Sequence, residues 1–267
     1  MSTSLRLSVE GPVAEIVLQQ APCNEIGMPM LEALEEAIAA VEDSSARALV
    51  ISSSQVGFCA GADLRELYKA IAGRSPEDYQ GDLRSFIDRI HAVMNRLDML
   101  PMPTIAAVFG VCFGGGFELA LACDLIIADR SARFCFPELR LGLVPGFGGV
   151  PRLLREVPNA VVRDLLLTGR SLSAKRAHEL GLVSQVVAEG QSARAALAAG
   201  RQAALFDREV SGAAKRFMKP HPEAHLQEEK DLFIRMFADP RVEAALADFV
   251  SRLDPMPYQP QRQEKMS

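Results

Sequence analysis

Gly114-Gly115-Gly116-Phe117-Glu118-Leu119-Ala120 and, earlier in the chain, Phe58-Cys59-Ala60-Gly61-Ala62-Asp63-Leu64 are the stretches that decide the fold. Each ends an apolar, strand-like run with glycine and then opens a helix-like run. Glycine lets the backbone approach a ligand closely, and the first amides of the following helix are free donors at the positive end of its dipole. Two such turns aimed at one point would form an oxyanion hole.

Two carboxyl groups accompany these turns. Glu118 follows Gly115 by three residues, and Glu138 lies in the apolar stretch Phe136-Pro137-Glu138-Leu139. Glu118 would suit a helix start for electrostatic reasons alone, whereas a carboxylate between apolar neighbours is either turned to water or held with a raised pKa. An acid and a base beside an oxyanion hole are the groups that chemistry through an enolate requires.

Composition excludes several classes of protein. The 267 residues are 49% hydrophobic and 24% charged, which suits one large α/β domain with or without an appendage. The net charge of −5, without a long block of like charges, argues against nucleic-acid binding. No long uncharged stretch or signal-peptide pattern is visible, so we expect a cytoplasmic protein without a membrane span.

The residues that could bind metal are poorly spaced for it. The five cysteines stand singly in apolar segments without C-x-x-C spacing, which predicts buried, reduced thiols. His221 and His225 are separated by Pro222 and have no evident third ligand. His91 and His178 fall on predicted amphipathic helices and are expected to face solvent or partner chains. We therefore expect no metal site.

Apolar periodicity predicts a β/α first half and a helical second half. Strands are expected at residues 5–9, 13–18, 48–52, 104–111 and 125–128, and helices at residues 30–41, 78–100 and 117–123. Beyond residue 151, helices are expected at residues 160–167, 173–180, 191–206 and 240–253, with only residues 182–187 extended. The repeated strand–turn–helix order favours right-handed crossovers in a parallel sheet.

Taken in order, the two glycine stretches, Cys123-Asp124, Pro137-Glu138, Leu141-Gly142 and Pro145-Gly146-Phe147-Gly148-Gly149 resemble the crotonase (enoyl-CoA hydratase/isomerase) superfamily nearly from end to end. The resemblance implies an α/β fold: a crotonase-type ββα spiral core with an acyl-thioester site in residues 1–195, a helical C-terminal domain in residues 196–255 and a flexible tail in residues 256–267. It also implies a homotrimer or a hexamer, with the helical part covering the active site or a neighbouring chain.

The resemblance also assigns roles. The amides of Ala62 and Gly115 would hold the thioester oxygen of an acyl-CoA, Glu118 would take a proton from water, and Glu138 would supply one to C2 of a 2-enoyl thioester. No metal or redox cofactor is implied, and coenzyme A is part of the substrate. Asp63 can also be interpreted as a helix N-cap. The remaining substrate-binding candidates are Ala60, Gly61, Asp63, Leu64, Arg65, Gly114, Gly116, Phe117, Pro145, Gly146, Phe147 and Lys215.

Other functions within the family stay open. Residues 19–24 lack the basic residue that many relatives carry there, so Arg65 and Lys215 are the candidates for phosphate contacts, and a thioester on a carrier protein is an alternative to free CoA. A Δ3-Δ2-enoyl-CoA isomerase would use Glu138 alone, and a hydratase or decarboxylase could act on carrier-bound biosynthetic thioesters. The acidic charge and both glutamates argue against a non-enzymatic, RNA-binding relative. Bulky Phe117 and Phe147 predict a preference for short or unusual acyl groups. The segment from Leu67 to Gln80, together with Phe233 and Phe237, provides further candidate walls.

Overall fold

The chain opens with an antiparallel hairpin in the computed structural model, which describes residues 4–252. Strand β1, Leu5–Glu10, pairs with β2, Val13–Leu18, along its whole length. Gly11 in the turn has a φ of +61°, a conformation that favours glycine. The predicted hairpin is confirmed.

The later strands divide between two sheets. The six-stranded sheet has the order β1-β2-β3-β4-β6-β9 and is parallel from β2 to β9. The three-stranded sheet has the order β5-β7-β8. The strands after the hairpin are β3 (Ala48–Ser53), β4 (Thr104–Val108), β5 (Val111–Phe113), β6 (Leu125–Asp129), β7 (Arg133–Cys135), β8 (Leu172–Ser173) and β9 (Gln185–Val187).

Helices connect these strands and are the only regular secondary structure after β9 in residues 4–252. In chain order they are α1 (Met28–Glu42), α2 (Leu64–Ile71), α3 (Pro76–Met99), α4 (Gly115–Ala122), α5 (Gly149–Glu156), α6 (Asn159–Thr168), α7 (Ala174–Glu179), α8 (Ser192–Ala203), α9 (Arg208–Met218), α10 (Glu223–Phe237) and α11 (Pro240–Ser251), with a 3₁₀ helix at Glu138–Leu141. Among residues 4–252 no helix combines the length and the apolar character needed to cross a membrane.

Both faces of the large sheet are covered. Ala48 and Val50 pack with α8 on one face, while Leu49 and Ile51 join the larger core on the other. Alternate side chains of one strand thus enter different cores, which explains why this parallel strand is apolar throughout. The predicted domain boundary between residues 195 and 196 falls inside α8. The predicted tail, residues 256–267, lies outside the described residues.

The single strand predicted at residues 104–111 is wrong, because this stretch contributes to both sheets. β4 ends at Val108, and the chain turns at Gly110 before β5 pairs with β7. Gly110 has a φ of +56°, and a Cβ atom there would lie 2.9 Å from the carbonyl oxygen of Val56. A larger residue would clash with the backbone at this point, so glycine allows the chain to leave one sheet and enter the other.

The C-terminal helices return to the end of the molecule that carries the glycine turns. α10 packs on α3 and α5, and α11 packs on α2 and on the 3₁₀ helix that begins with Glu138. Val242 and Leu246 bury the inner face of α11 completely. Within the chain itself, the helical C-terminal part therefore covers the elements that follow both glycine stretches.

Candidate active site

The first glycine turn leaves the amide of Ala62 without a hydrogen-bond acceptor in the described part of the chain. The residues on either side of Ala62 form a parallel bridge, in which Ile26 N donates to Gly61 O at 2.7 Å and Asp63 N donates to Ile26 O at 3.1 Å. Gly61 has a φ of +106°, which turns the chain at this point. Among residues 4–252, the Ala62 N–H has no hydrogen-bond acceptor.

The second glycine turn brings the amide of Gly115 beside that of Ala62. Gly114 has a φ of +49° and caps α4, so that Gly115 is the first residue of the helix. A Cβ atom on Gly115 would lie 3.4 Å from Ala62 N, and one on Gly61 would lie 3.3 Å from Gly115 N. The first amides of a helix have no partner within it, and Gly115 N–H finds none elsewhere in residues 4–252. Two free donors therefore lie side by side at the positive end of a helix.

Glu118 is buried and holds a backbone turn. Its Oε1 accepts hydrogen bonds from the amides of Phe147 and Gly149, both at 2.8 Å. Burial raises the pKa of Glu118 to about 7, against the two amide hydrogen bonds and the positive charge of Arg152, which favour the ionised form. Glu118 can therefore exchange a proton near neutral pH.

Glu138 has a different environment from that of Glu118. It begins the 3₁₀ helix, and its Oε2 is buried without a hydrogen-bond partner among the described residues. Burial, and then the charge of Glu118, raise the pKa of Glu138 well above its usual range. A Cβ atom on Gly114 would lie 2.5 Å from Glu138 Oε1, so glycine at position 114 makes room for this carboxyl group.

One cavity of about 70 Å³, here called the reaction cavity, is lined by the two turns and the two glutamates. Phe147 forms a wall, and a Cβ atom on Gly115 would lie 2.7 Å from its ring. Leu67 and Phe233, two of the expected pocket walls, also line the cavity. The predicted site residues that line it are Ala60, Gly61, Ala62, Leu64, Gly114, Gly115, Glu118, Glu138, Gly146 and Phe147.

Two residues predicted to contact substrate, Phe117 and Lys215, do not line this cavity. The side chain of Phe117 is fully buried behind the cavity, where its ring centroid lies 4.8 Å from that of Phe136 and 5.3 Å from that of Phe134. Lys215 is buried in another part of the molecule and pairs with Asp124 at 2.8 Å. Phe117 faces inward because the side of α4 opposite the cavity packs on the small sheet, and the ammonium of Lys215 is already neutralised.

Two more predicted residues, Asp63 and Gly116, have structural roles in the described chain, and a third, Pro145, lies outside the cavity lining. Asp63 is the N-cap of α2 and accepts from the amides of Arg65 and Glu66, as its second interpretation predicted. Gly116 allows α4 to approach the first turn, because a Cβ atom there would lie 2.3 Å from Cys59 O. Pro145 is buried just before Gly146 and does not line the cavity.

A second cavity of about 240 Å³ adjoins the first and shares Ala60, Ala62 and Leu64 with it. Its outer wall is formed by α11, where the guanidinium of Arg65 lies 5.5 Å from the ring centroid of Phe249. Its charged lining consists of Arg65, Arg140 and Arg252 together with Glu25, Asp63 and Asp248. Arg65, the candidate for phosphate contacts, thus lines this second cavity, and so does Arg140, which was not predicted.

An apolar pocket of about 160 Å³ lies behind the reaction cavity, between α2 and α3. It shares Leu67 with that cavity. Phe86, also in its lining, meets Phe147 edge-on with ring centroids 6.3 Å apart. Three side chains, those of Leu67, Phe86 and Phe147, therefore lie between the reaction cavity and further apolar space.

Sequence reasoning missed the side chains that hold residues 146–150. The prediction that His91 faces solvent is wrong: it is buried and bonded through Nε2 to Gly146 O at 2.9 Å, and burial lowers its pKa to about 4. Arg152 is fully buried, and Glu229 of α10 accepts from the amides of Gly148 and Val150. No local pattern marks Glu229, since an exposed acidic residue, Glu228, stands directly beside it on the helix. Among residues 4–252 no three His, Cys, Asp or Glu side chains are grouped to hold a metal ion.

Comparison with known proteins gives consistent matches. Residues 8–259 match the family model described as Enoyl-CoA hydratase/isomerase. The chain is 35% identical over 255 residues to a Rhizobium meliloti (strain 1021) protein named "Probable enoyl-CoA hydratase", covering 93% of this chain and 95% of that protein. It is 38% identical over 175 residues to the mitochondrial methylglutaconyl-CoA hydratase of Rattus norvegicus, covering 65% of this chain and 53% of that protein.

Solved structures match over nearly the whole chain. A crystal structure of an enoyl-CoA hydratase/isomerase from Xanthobacter autotrophicus Py2 superposes with a TM-score of 0.83 at 26% identity, covering 92% of this chain and 93% of that chain. One from Mycobacterium paratuberculosis gives the same TM-score at 23% identity, over 93% of this chain and 99% of that chain, and so supports the fold alone.

Proposed function

Because the chain belongs to the enoyl-CoA hydratase/isomerase family, we propose that it is an enoyl-CoA hydratase, a lyase that adds water across the 2,3-double bond of a 2-enoyl thioester. Its α/β fold is the crotonase fold expected from the sequence. The observation that carries the proposal is the pairing of two free amides with two buried glutamates around one cavity. A non-catalytic binding protein would have no use for two carboxyl groups with raised pKa values at one point.

In this proposal the amides of Ala62 and Gly115 bind the thioester oxygen. Negative charge builds on this oxygen as water attacks C3, and preorganised donors stabilise that charge more than they stabilise the ground-state carbonyl. Loss of one such donor in other enzymes raises the barrier by about 3–4 kcal/mol. The positive end of α4 adds to the same effect.

The glutamates divide the proton transfers. Glu118, whose Oε1 is already bonded to two amides, is the better stabilised carboxylate and takes a proton from the attacking water through its other oxygen. Glu138, buried without a hydrogen-bond donor at Oε2, is better protonated and gives its proton to C2 of the enolate. The oxygen of water ends on C3, and the two carboxyl groups regain their starting states by proton exchange.

The second cavity, of about 240 Å³, suits the pantetheine chain that carries the acyl group. A pantetheine chain leaving the thioester would pass Ala60 and Leu64 and reach the arginines at the mouth, of which Arg65, Arg140 and Arg252 could meet phosphate. These arginines replace the basic residue missing from residues 19–24 and favour coenzyme A as the carrier. A carrier protein would present the same arm, so this alternative differs only outside the mouth. The proposal needs no metal or redox group.

The size of the reaction cavity supports a short acyl group. Leu67 separates this cavity of about 70 Å³ from the apolar pocket behind it, so a long acyl chain would have to displace Leu67. The methylglutaconyl-CoA hydratase of rat, a relative by sequence, is named for a short branched acyl group. We therefore propose a short 2-enoyl thioester as substrate, and activity rising steadily with chain length would contradict this.

Loss of the enoyl-thioester absorbance of crotonyl-CoA tests the reaction. The wild type should hydrate crotonyl-CoA, and Glu118→Gln and Glu138→Gln should each lose most of kcat because each removes one proton-transfer group. The rival reaction, isomerisation of a 3-enoyl-CoA, is suggested by Glu138, whose unpartnered Oε2 could shuttle a proton alone. A wild type that conjugates a 3-enoyl-CoA and keeps this activity in Glu118→Gln would replace the hydratase with the isomerase.

A further inference from the structure

Residues 146–150 form a turn whose consecutive amides bind alternately to two carboxylates. Phe147 N and Gly149 N donate to Glu118 Oε1, both at 2.8 Å. Gly148 N donates to Glu229 Oε1 at 2.8 Å, and Val150 N donates to Glu229 Oε2 at 2.9 Å. Glu118 and Glu229 therefore hold alternate amides of one strip of backbone.

The carbonyl groups of the turn are also held by side chains. His91 Nε2 bonds to Gly146 O at 2.9 Å, and Arg152 Nη1 donates to Phe147 O at 3.3 Å and Gly148 O at 3.1 Å. Burial keeps His91 neutral at pH 7, so Nε2 carries the hydrogen and donates it. With both edges of its backbone bonded, the turn has little freedom to move by itself.

Glu229 takes no part in the proposed reaction, yet it is as constrained as Glu118. It lies on α10, is 7% exposed, and uses both carboxyl oxygens on the turn. Burial, and then the charge of Glu118, raise its pKa well above the usual range. A buried carboxyl group is costly, and placing two of them on one turn indicates a role that an apolar residue could not fill.

We propose that Glu229 is a positioning residue for the proposed general base, fixing through the 146–150 turn the place at which Glu118 meets water. The inference rests on the proposed function. The same turn carries Phe147, whose ring lies against the Gly115 turn, so a shift of the turn would disturb both the base and the wall of the cavity.

Glu229→Gln tests this, with Glu228→Gln as the matched control. The glutamine keeps the shape of the side chain, but its NH₂ group would face one of the two amide donors and push the turn away. We expect kcat to fall about tenfold, the effect of weakening a hydrogen bond to a charged group, with KM changed less than about twofold. Glu228 is exposed on the same helix, so its variant should match the wild type.

The pH dependence provides a second measurement. Besides Glu229, the charged and titratable groups that face Glu118 are Arg152 of α5, Glu138 of the 3₁₀ helix and the neutral His91 of α3. The amides of Phe147 and Gly149 favour the ionised form of Glu118, so a turn displaced in Glu229→Gln makes Glu118 harder to ionise. The acid limb of the kcat profile should therefore move to higher pH in Glu229→Gln and stay in place in Glu228→Gln.

Hydrogen exchange separates this inference from the proposed reaction. Amide hydrogen exchange can be resolved to single residues by electron-transfer fragmentation. In Glu229→Gln it should be faster than in the wild type at Phe147 and Gly149, which Glu118 holds, as well as at Gly148 and Val150. A wild type that hydrates no 2-enoyl-CoA would end the proposed function, while this exchange would still decide whether Glu229 fixes the turn that holds Glu118. Unchanged exchange at Phe147 and Gly149, or an unchanged kcat in an active enzyme, would overturn the inference. If Glu229→Gln does not fold, Glu229→Asp carries the same test, because its shorter carboxylate cannot span both amides.

Discussion

At the scale of single residues, Glu118 and Glu138 have the same side chain in different settings. Two backbone amides and Arg152 favour the ionised form of Glu118 and oppose the effect of burial. Glu138 has a buried, unpartnered oxygen and the negative charge of Glu118 nearby. Two carboxyl groups whose surroundings separate their pKa values can serve as base and acid at one pH.

This difference predicts a bell-shaped dependence of kcat/KM on pH. Below about pH 7, the value to which burial raises the pKa of Glu118, the base becomes protonated and the rate should fall. At higher pH, Glu138 loses the proton that it must donate, and the rate should fall again. The apparent pKa read from each limb belongs to the coupled pair of glutamates rather than to either residue alone. A profile that is flat from pH 5 to 8, measured with crotonyl-CoA, would contradict this assignment.

Gly116 provides a second prediction at this scale. In Gly116→Ala the new methyl group would lie 2.3 Å from Cys59 O, so α4 would have to move away from the first turn and separate the two free amides. We expect activity to fall at least about tenfold, since a small displacement of paired donors costs more than one hydrogen bond. Gly81→Ala is the control, because Gly81 lies in α3 with no atom within 4 Å of the added carbon. Equal activity in both variants would show that the close approach is unimportant.

At the scale of elements, two lysines attach α9 to the core. Lys219 Nζ donates to the last carbonyls of α4, Ala122 O at 3.0 Å and Cys123 O at 2.9 Å, and lies 2.9 Å from Asp98 Oδ1. Lys215 pairs with Asp124 next to it. A cation at a helix C-terminus satisfies carbonyls that have no partner within the helix and opposes the negative end of the dipole. α9 therefore stabilises α4 from the end opposite the reaction cavity.

Lys219→Met should lower the free energy of unfolding by about 2 kcal/mol, because buried carbonyl and carboxylate oxygens would lose their donor. Lys175→Met is the matched control: this lysine is 87% exposed on α7, and its replacement should change stability by less than about 0.5 kcal/mol. Urea unfolding followed by circular dichroism measures both variants. A similar loss in both, or none in Lys219→Met, would rule out the anchoring role.

Sequence reasoning found the elements whose pattern is local. The hairpin, the strand that became β3, and the cap of α2 by Asp63 all follow from short-range rules. It failed where a distant contact decides. Phe117 and Glu118 are adjacent on α4, and only the small sheet packed behind the helix turns one ring inward and one carboxyl group toward the cavity. Glu229 is one acid among several on α10 until the docking of that helix places it on the turn.

At the scale of the whole molecule, the surface around α9 is unusually apolar. Phe206 is 60% exposed, Val210 66%, Phe217 90% and Met218 73%. Large apolar groups gathered in one region typically mark a surface that is covered in an assembly. The trimer or hexamer expected from the sequence would bury it.

Phe217→Asp tests this assembly. A charge at the most exposed of these side chains should disfavour a buried interface and lower the mass measured by analytical ultracentrifugation at micromolar concentration. Lys175→Asp, a charge change on exposed α7, should leave the mass unchanged. A wild type that sediments as a monomer would show that this apolar surface does not mediate self-association.

The hydrogen bonds from the 146–150 turn to Glu229 of α10 also have a consequence for folding during synthesis. Glu229 meets Gly148 across 81 positions of sequence and Val150 across 79. A ribosome that has just added residue 138 has already produced both glutamates and both free amides that line the reaction cavity. The turn that sets Glu118 then lacks one of its two carboxylates until α10 has emerged and docked. We expect a nascent chain to act on thioesters only weakly until nearly all of it is synthesised, so that the last helices complete a site whose other groups were present long before.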